Sequence, residues 1–245
     1  MPLNYGHRGA DVRRRRFGTT PRAYGARAAL VNVFAALGLI ATAAMPAVAS
    51  DPVHILFLGD SLAAGYGLAS RDSLAARLEA ALNQNGHAAV VINAGVSGDT
   101  TAGGRARLDW SLSGTPKPDA AIVELGANDG LRGIEPTETR ANLSAILDRL
   151  AVAGLPVLLA GMKAPRNLGE DYVREFDAVF PDLARQHGVL FYPFLLEGVA
   201  LDPALNQPDG IHPNARGVER IVRGLLPLAE ELIARTRAAA REGAP

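Results

Sequence analysis

The sequence predicts a three-layer α/β/α sandwich whose central layer is a parallel β-sheet. Three observations support this fold class. After residue 50, short apolar runs alternate with longer amphipathic segments, which is typical of strands joined by helical crossovers. The short runs are almost continuously apolar, as expected for strands covered by helices on both faces. No linker-like stretch or internal repeat divides residues 50–245, so we expect one domain there.

Five short runs are predicted to be strands. The first covers residues 53–59 (Val-His-Ile-Leu-Phe-Leu-Gly); it is apolar almost throughout and stops at a glycine. The other four are predicted at residues 88–92, 119–125, 156–160 and 189–192.

Helices are predicted between the strands and after the last one. The segment 70–85 carries apolar residues at helical spacing, and residues 137–140 form a predicted cap region for a helix that closes at Gly154. The predicted helices are residues 70–85, 100–111, 137–153, 170–187 and 214–240.

The first 49 residues are predicted to be a cleaved secretory signal peptide. Four arginines at 13–16 precede an apolar run at 28–44, Pro46 then ends any helix, and residues 47–49 have the small-x-small form accepted by signal peptidase. The alternative is an uncleaved membrane anchor, although a run of about 17 Ala-rich residues is short for a bilayer span. The signal peptide predicts export, to the periplasm or out of the cell.

The charge and the cysteine content limit the kinds of partner and of site that this chain can have. The formal net charge is zero, but residues 1–50 hold seven arginines and one acid, so residues 51–245 carry 18 basic and 24 acidic groups. A mildly acidic body without a basic stripe argues against nucleic acid as a partner. The absence of cysteine excludes disulfides, thiolate metal sites and a cysteine nucleophile.

Polar segments follow the predicted strands where chemistry is expected in such a sheet. Ligands of open parallel sheets bind beyond the carboxyl ends of the strands, and a parallel sheet brings these ends to one edge. The segments are 59–62 (Gly-Asp-Ser-Leu), 93–100, 126–130 and, before the last helix, 209–213 (Asp-Gly-Ile-His-Pro). Together they predict a multi-part site at this edge.

A serine and a histidine in these segments suit nucleophilic catalysis. A serine hydroxyl needs a neighbouring base to take its proton, and histidine titrates near working pH. Ser61 follows the first strand, and His212 is the one histidine of the body predicted at this edge; His54, His87 and His187 fall on the opposite side of the sheet. Asp209, three residues before His212, is placed to accept the Nδ1 proton and orient the ring.

Acyl transfer also needs donors for the developing oxyanion. We expect the backbone N–H groups of Gly98 and Ser61 and the side-chain amide of Asn128 to supply them. Structural roles are the alternative: a helix cap for Ser61 or Asp209, an Asx turn for Asn128, and turn geometry for Gly98. Three further aspartates, Asp60, Asp99 and Asp129, are predicted to fix turns by accepting backbone N–H bonds. Glu124 ends a core strand and is predicted to pair internally.

These segments resemble the conserved blocks of the SGNH (GDSL-type) hydrolases. Residues 59–62 resemble block I, Gly98 block II, residues 126–129 block III and residues 209–212 block V. The resemblance covers about residues 53–235, and segments 98–100 and 126–133 are similar to the periplasmic branch called thioesterase I, lysophospholipase L1 or arylesterase. It implies a flavodoxin-like five-stranded parallel sheet, the SGNH hydrolase fold. It also implies Ser61 as nucleophile, Gly98 and Asn128 as oxyanion donors, and the Asp209/His212 pair.

The predicted activity is hydrolysis of carboxylic esters or thioesters through an acyl-serine intermediate. Aryl esters, lysophospholipids and acyl thioesters are the expected substrates, some of them lipid-like, with no cofactor and no metal. We expect a monomer that meets a membrane only as its export route or as a lipid source. The resemblance also places a substrate-sensing wall at residues 163–172, against the alternative of a plain surface loop.

Two other functions use the same fold. A carbohydrate O-deacetylase or acyltransferase would share the machinery, but the chain has one tryptophan, Trp110, for an aromatic sugar platform. A non-catalytic binding module would be expected to have lost at least one of Ser61, His212, Gly98 and Asn128.

Overall fold

The computed structural model describes residues 51–242. The predicted signal peptide at residues 1–49 lies outside the described residues.

The five predicted strands form one sheet in which every neighbouring pair is parallel. The strand order is β2-β1-β3-β4-β5, so the chain starts near one edge, adds β2 beside β1, then crosses to the other side. Helices flank this sheet, and the predicted α/β fold is confirmed. The strands are β1 (Val53–Gly59), β2 (Ala89–Gly95), β3 (Ala120–Glu124), β4 (Val157–Ala160) and β5 (Leu190–Tyr192).

Eight α-helices occur among the described residues. They are α1 (Ser61–Ala64), α2 (Leu74–Gln84), α3 (Thr101–Ala106), α4 (Leu108–Leu112), α5 (Ala127–Arg132), α6 (Pro136–Val152), α7 (Glu170–His187) and α8 (Ala215–Glu242). Short 3₁₀ helices occupy Ser70–Asp72 and Arg166–Leu168. The predicted single helix at 100–111 is wrong, because Arg107 separates α3 from α4. The four-residue α1 and six-residue α5 were not predicted.

The core explains why the strand runs are apolar on both faces. All five residues of β3, in the middle of the sheet, are buried. On the helical layers α2 packs against α8, and α6 packs against α7. No helix in residues 51–242 is both long and apolar enough to cross a bilayer.

Two helix starts differ from the prediction. Helix α6 begins at Pro136, whose missing N–H and fixed φ suit a first helical position, and no side chain caps it, so the predicted cap region at 137–140 is wrong. Thr139 instead donates its hydroxyl to Asp129, at 3.2 Å. Helix α8 is capped by Asn214, whose Oδ1 accepts the N–H of Arg216 and of Gly217. Pro213 therefore directly precedes the capping residue.

Candidate active site

The carboxyl end of β1 leads directly into the short helix α1, and Ser61 is its first residue. The Asp60 side chain caps this helix by accepting the N–H of Leu62 at 2.9 Å. Gly65 ends it in the left-handed region, at φ 81°, which a glycine adopts without strain. This tight strand–turn–helix unit holds the Ser61 hydroxyl at the edge of the sheet.

Ser61, His212 and Asp209 form a continuous hydrogen-bonded chain. The Oγ of Ser61 lies 2.9 Å from Nε2 of His212, although 151 residues separate them in sequence. Nδ1 of the same ring lies 2.7 Å from Oδ2 of Asp209. An ionised Asp209 can only accept, so these partners assign the neutral ring's proton to Nδ1 and leave Nε2 free to accept from Ser61.

Asp209 also shapes the loop that carries the histidine. Its Oδ1 accepts the N–H of Ile211 at 2.9 Å and of His212 at 3.0 Å. These bonds, led by the one from the His212 backbone, lower the pKa of Asp209 to about 2. Since Asn214 caps α8, the alternative in which Asp209 caps that helix is wrong.

Two residues that the sequence analysis did not single out hold the histidine loop in place. The backbone N–H of Gln207 donates to the His212 carbonyl at 2.7 Å, and Gln207 Nε2 donates to the Tyr66 carbonyl at 2.7 Å. The Tyr66 ring packs on the imidazole, with 4.5 Å between ring centroids. Gln207 thus ties the loop after α1 to the loop that carries His212. In the sequence, the only signal for these residues is that Tyr66 lies close to segment 59–62 and Gln207 close to segment 209–213.

The predicted oxyanion donors come from three segments: Ser61 begins α1, Gly98 lies in the loop after β2, and Asn128 lies in α5. Gly98 has φ 84°, and the guanidinium of Arg132 donates to its carbonyl at 2.8 Å. Among the described residues, neither the N–H of Gly98 nor that of Ser61 has a hydrogen-bond acceptor. Both are therefore available to a ligand oxygen.

Asn128 is engaged differently. Its Nδ2 donates to Oδ2 of Asp60 at 3.0 Å and to the Asp99 carbonyl at 2.9 Å, which uses both amide hydrogens. These bonds fix the amide beside the Ser61 turn. A substrate oxygen would have to share one of these hydrogens or replace the Asp99 carbonyl.

The three aspartates predicted to be structural do hold the site together. Asp60 and Asp129 accept backbone N–H bonds as predicted, the latter from Thr101 at 2.9 Å. The prediction is wrong for Asp99, whose carboxylate instead pairs with Arg107 at 2.6 Å. Arg107 also donates to the Gly59 carbonyl at 2.9 Å, so it joins the end of β1 to the Gly98 loop.

Burial changes the titration of the carboxyls beneath this turn. It raises the pKa of Asp60 to about 6, against the opposing hydrogen bonds from Leu62 and Asn128. It raises the pKa of Glu124 well above its usual range, and the neighbouring charge of Asp60 adds to this effect. The expected internal pairing of Glu124 is confirmed, because its Oε2 accepts the N–H of Asp60 at 3.2 Å.

The other histidines of the described chain have partners elsewhere. His54 contacts Asp119 at 3.3 Å, His87 lies 3.7 Å from Glu230, and His187 lies 3.7 Å from Asp148.

In residues 163–172, the Ala164 N–H donates to Asp177 and the Tyr172 hydroxyl donates to the Ile134 carbonyl. The substrate-sensing role of this segment stays a prediction.

The arrangement has the parts required for acyl transfer. It has a hydroxyl bound to a base, a carboxylate that orients the base, and free backbone donors beside them. Within residues 51–242, no cluster of three or more His, Cys, Asp or Glu side chains is arranged to hold a metal ion.

Comparison with known proteins agrees with this arrangement. Residues 57–220 match the GDSL-like lipase/acylhydrolase family. The chain is 38% identical over 177 residues to a Vibrio mimicus protein named arylesterase, covering 72% of this chain and 88% of the relative. It is 43% identical over 161 residues to an Escherichia coli K12 protein named thioesterase 1/protease 1/lysophospholipase L1, covering 65% and 75%. Its structure resembles that of AlinE4, an esterase of the SGNH-hydrolase family, at TM-score 0.64 and 50% identity, covering 74% and 96%.

Proposed function

The chain belongs to the GDSL-like lipase/acylhydrolase family and hydrolyses ester bonds, and from this premise we propose that Ser61 is its nucleophile and His212 its general base. The observation that carries the proposal is the unbroken chain from Ser61 through His212 to Asp209, with contacts of 2.9 and 2.7 Å. Each atom in this chain has the donor or acceptor character that its role requires.

Acylation follows from this geometry. As Oγ of Ser61 attacks the substrate carbonyl carbon, its proton passes to Nε2 of His212. The positive charge formed on the ring is stabilised by the ionised Asp209, whose lowered pKa of about 2 keeps it charged at neutral pH. The carbonyl oxygen becomes an oxyanion, for which the N–H groups of Gly98 and Ser61 and the amide of Asn128 are the proposed donors.

Collapse of the tetrahedral intermediate completes the first half-reaction. The bond to the alcohol or thiol breaks, and Nε2 of His212 returns its proton to that leaving group. A water molecule, deprotonated by the same nitrogen, then attacks the acyl-serine. Release of the carboxylic acid restores the Ser61 hydroxyl.

Aryl esters, acyl thioesters and lysophospholipids are the substrates we propose. This choice is supported by the names of the relatives, arylesterase and thioesterase 1/lysophospholipase L1. All three classes present a carbonyl carbon to the same nucleophile, and their leaving groups are a phenol, a thiol and a glycerol hydroxyl. We also propose that the enzyme is exported, on the basis of the arginine cluster, apolar run and Ala47-Val48-Ala49 sequence at its start.

The test is hydrolysis of p-nitrophenyl esters and acyl thioesters of increasing chain length by the wild type, Ser61→Ala and Ser73→Ala. Ser73 is a matched control, because it is also buried but caps α2 by accepting the N–H of Ala76. We expect S61A to lose all measurable turnover and S73A to keep the wild-type kcat. Turnover by S61A at a rate near that of the wild type would refute the proposed nucleophile.

A further inference from the structure

Beneath the nucleophile turn lies a carboxyl group that the reaction itself does not use. Glu124 is the last residue of β3, directly beside Gly59 of β1 in the sheet register, and its side chain has no exposure to solvent. Its Oε2 accepts two backbone N–H groups, from Asp60 at 3.2 Å and from Ala63 at 3.2 Å. These two donors lie on either side of Ser61 in the chain.

The other carboxyl oxygen has no such support. Among the described residues, Oε1 of Glu124 is buried without a hydrogen-bond partner. The cation of this network, Arg107, pairs with Asp99 and the Gly59 carbonyl and forms no ion pair with Glu124. The sheet neighbours of Glu124, Gly59 and Ala160, bring no charge. An ionised Glu124 would therefore be a buried charge without a counter-ion, which proteins avoid.

The charged group that faces Glu124 is Asp60, which is itself an acceptor. Asp60 takes its hydrogen bonds from the N–H of Leu62 and the amide of Asn128. Burial, followed by the neighbouring charge of Asp60, raises the pKa of Glu124 well above its usual range. Burial acts most strongly on Glu124, so the proton belongs to Glu124 and the charge to Asp60.

We propose that Glu124 is a positioning residue that acts as a neutral acid, holding the backbone on both sides of Ser61 and, through Asp60, the amide of Asn128. This proposal rests on the proposed function of Ser61 and Asn128. Glu124 touches no substrate atom. It joins the two parts of the site that must keep their spacing in the transition state, the nucleophile and the side-chain oxyanion donor.

The space between Glu124 and the Ser61 turn is closely packed. A Cβ atom added to Gly59 would lie 2.5 Å from Oε2 of Glu124 and 2.6 Å from Cβ of Ala63. Real Cβ atoms do not approach so closely, so a glycine at position 59 is what lets the acid reach the turn. The first residue of the Gly-Asp-Ser-Leu segment is thereby explained by the acid beneath it.

Two substitutions separate the neutral acid from other roles. Glu124→Gln keeps an oxygen for the two N–H donors and is neutral like a protonated Glu124, so we expect kcat and the pH–rate profile to stay within about threefold of the wild type. Glu124→Leu leaves both backbone donors unpaired and frees Asp60. We expect its kcat to fall about 30- to 300-fold with KM nearly unchanged, approaching the loss of an oxyanion donor.

The measurements must exclude a simple loss of folded protein. Active sites are titrated with a fluorophosphonate, and kcat is calculated per titrated site. The matched controls are Glu79→Gln and Glu79→Leu, because Glu79 also accepts a backbone N–H, that of Val91 at 2.7 Å, but from α2 and without contact to the Ser61 turn. Both control variants should keep the wild-type kcat per site.

The infrared difference spectrum between the wild type and E124Q gives a readout that does not depend on activity. At pH 8 the wild type should show the band of a buried protonated carboxyl, and E124Q should lack it. This comparison decides the protonation state even if E124L fails to fold.

Each contrary result would overturn one part of the proposal for Glu124. If E124Q loses as much kcat as E124L, or the carboxyl band is absent, Glu124 is not a neutral acid. If E124L keeps its kcat, Glu124 does not position the site. Neither result touches the proposed function, which the S61A variant tests separately.

Discussion

Replacing Asp209 by Asn tests the electrostatic half of the mechanism. The asparagine oxygen can still accept the N–H groups of Ile211 and His212, so the loop keeps its shape. The amide nitrogen now faces Nδ1 of His212, where the carboxylate oxygen lay at 2.7 Å. Because that nitrogen donates, it favours the tautomer with the proton on Nε2, which cannot accept from Ser61.

The size of the effect follows from the position of the carboxylate. A unit charge pair at about 4 Å is worth about 4 kcal/mol at an effective dielectric constant of about 20 and about 1 kcal/mol in bulk water. The Asp209 side chain is 37% exposed, so its charge is partly screened and we take about 2–3 kcal/mol. At 1.36 kcal/mol per factor of ten, kcat should fall about 30- to 150-fold from the lost charge alone. The wrong tautomer adds to this loss.

The assay is steady-state hydrolysis of p-nitrophenyl butyrate, with kcat and KM determined separately. KM should change little, because Asp209 acts on the charge that forms during attack. Asp202→Asn is the matched control, since Asp202 also accepts a backbone N–H, that of Ala204 at 2.8 Å, in the same segment. If D209N kept kcat within about threefold of the wild type and of D202N, the reasoning would be refuted.

Three further predictions concern the supports of the site. Asn128→Ala should lower kcat by a factor of about 10²–10³ with little change in KM, as expected for an oxyanion donor. The control Asn83→Ala removes an amide bound to the Glu79 and Ala89 carbonyls and should leave kcat unchanged. Equal losses of kcat in the two variants would contradict the role assigned to Asn128. Arg107→Met should lower the free energy of unfolding in urea by about 2 kcal/mol, because the Arg107–Asp99 pair is largely buried. Arg149→Met, which breaks the exposed pair with Asp109, should cost less than about 1 kcal/mol, and the reverse ranking would show that the Arg107 pair does not hold the loop. The advantage in stability of the wild type over D209N should decline as the pH falls from about 4 to 2. The folded protein keeps Asp209 ionised down to a pKa of about 2 while the unfolded chain protonates it near 3.9, so urea titrations at several pH values should show this decline, and a constant advantage down to about pH 2 would contradict it.

Much of the fold was predictable because its signals are local. The strands β1 and β3 are apolar on both faces, and that composition follows directly from burial in a covered parallel sheet. The second strand was predicted to end at residue 92 but continues to Gly95, since β2 lies at the edge of the sheet and tolerates the polar Asn93. The helices α1 and α5 are too short to show a hydrophobic period, so no pattern could reveal them.

The site was predictable where topology alone brings residues together. Ser61 follows the carboxyl end of β1, and His212 lies in a loop at the same edge of the sheet. Parallel strands are enough to bring two such segments to one edge. The supports were not predictable in this way. The contacts of Glu124 with the Ser61 turn, and of Gln207 with the Tyr66 carbonyl, depend on side-chain directions across 61 to 141 residues of sequence, which no spacing encodes.

The most direct test of the central claim is to map the site of covalent modification by a fluorophosphonate. The reagent is attacked by a serine whose proton a neighbouring base removes, as in the first step proposed for esters. Peptide mass spectrometry should find one adduct per chain, on Ser61, formed rapidly in the wild type and far more slowly in His212→Ala. An adduct on a different serine, or equal labelling rates in the wild type and H212A, would contradict the account.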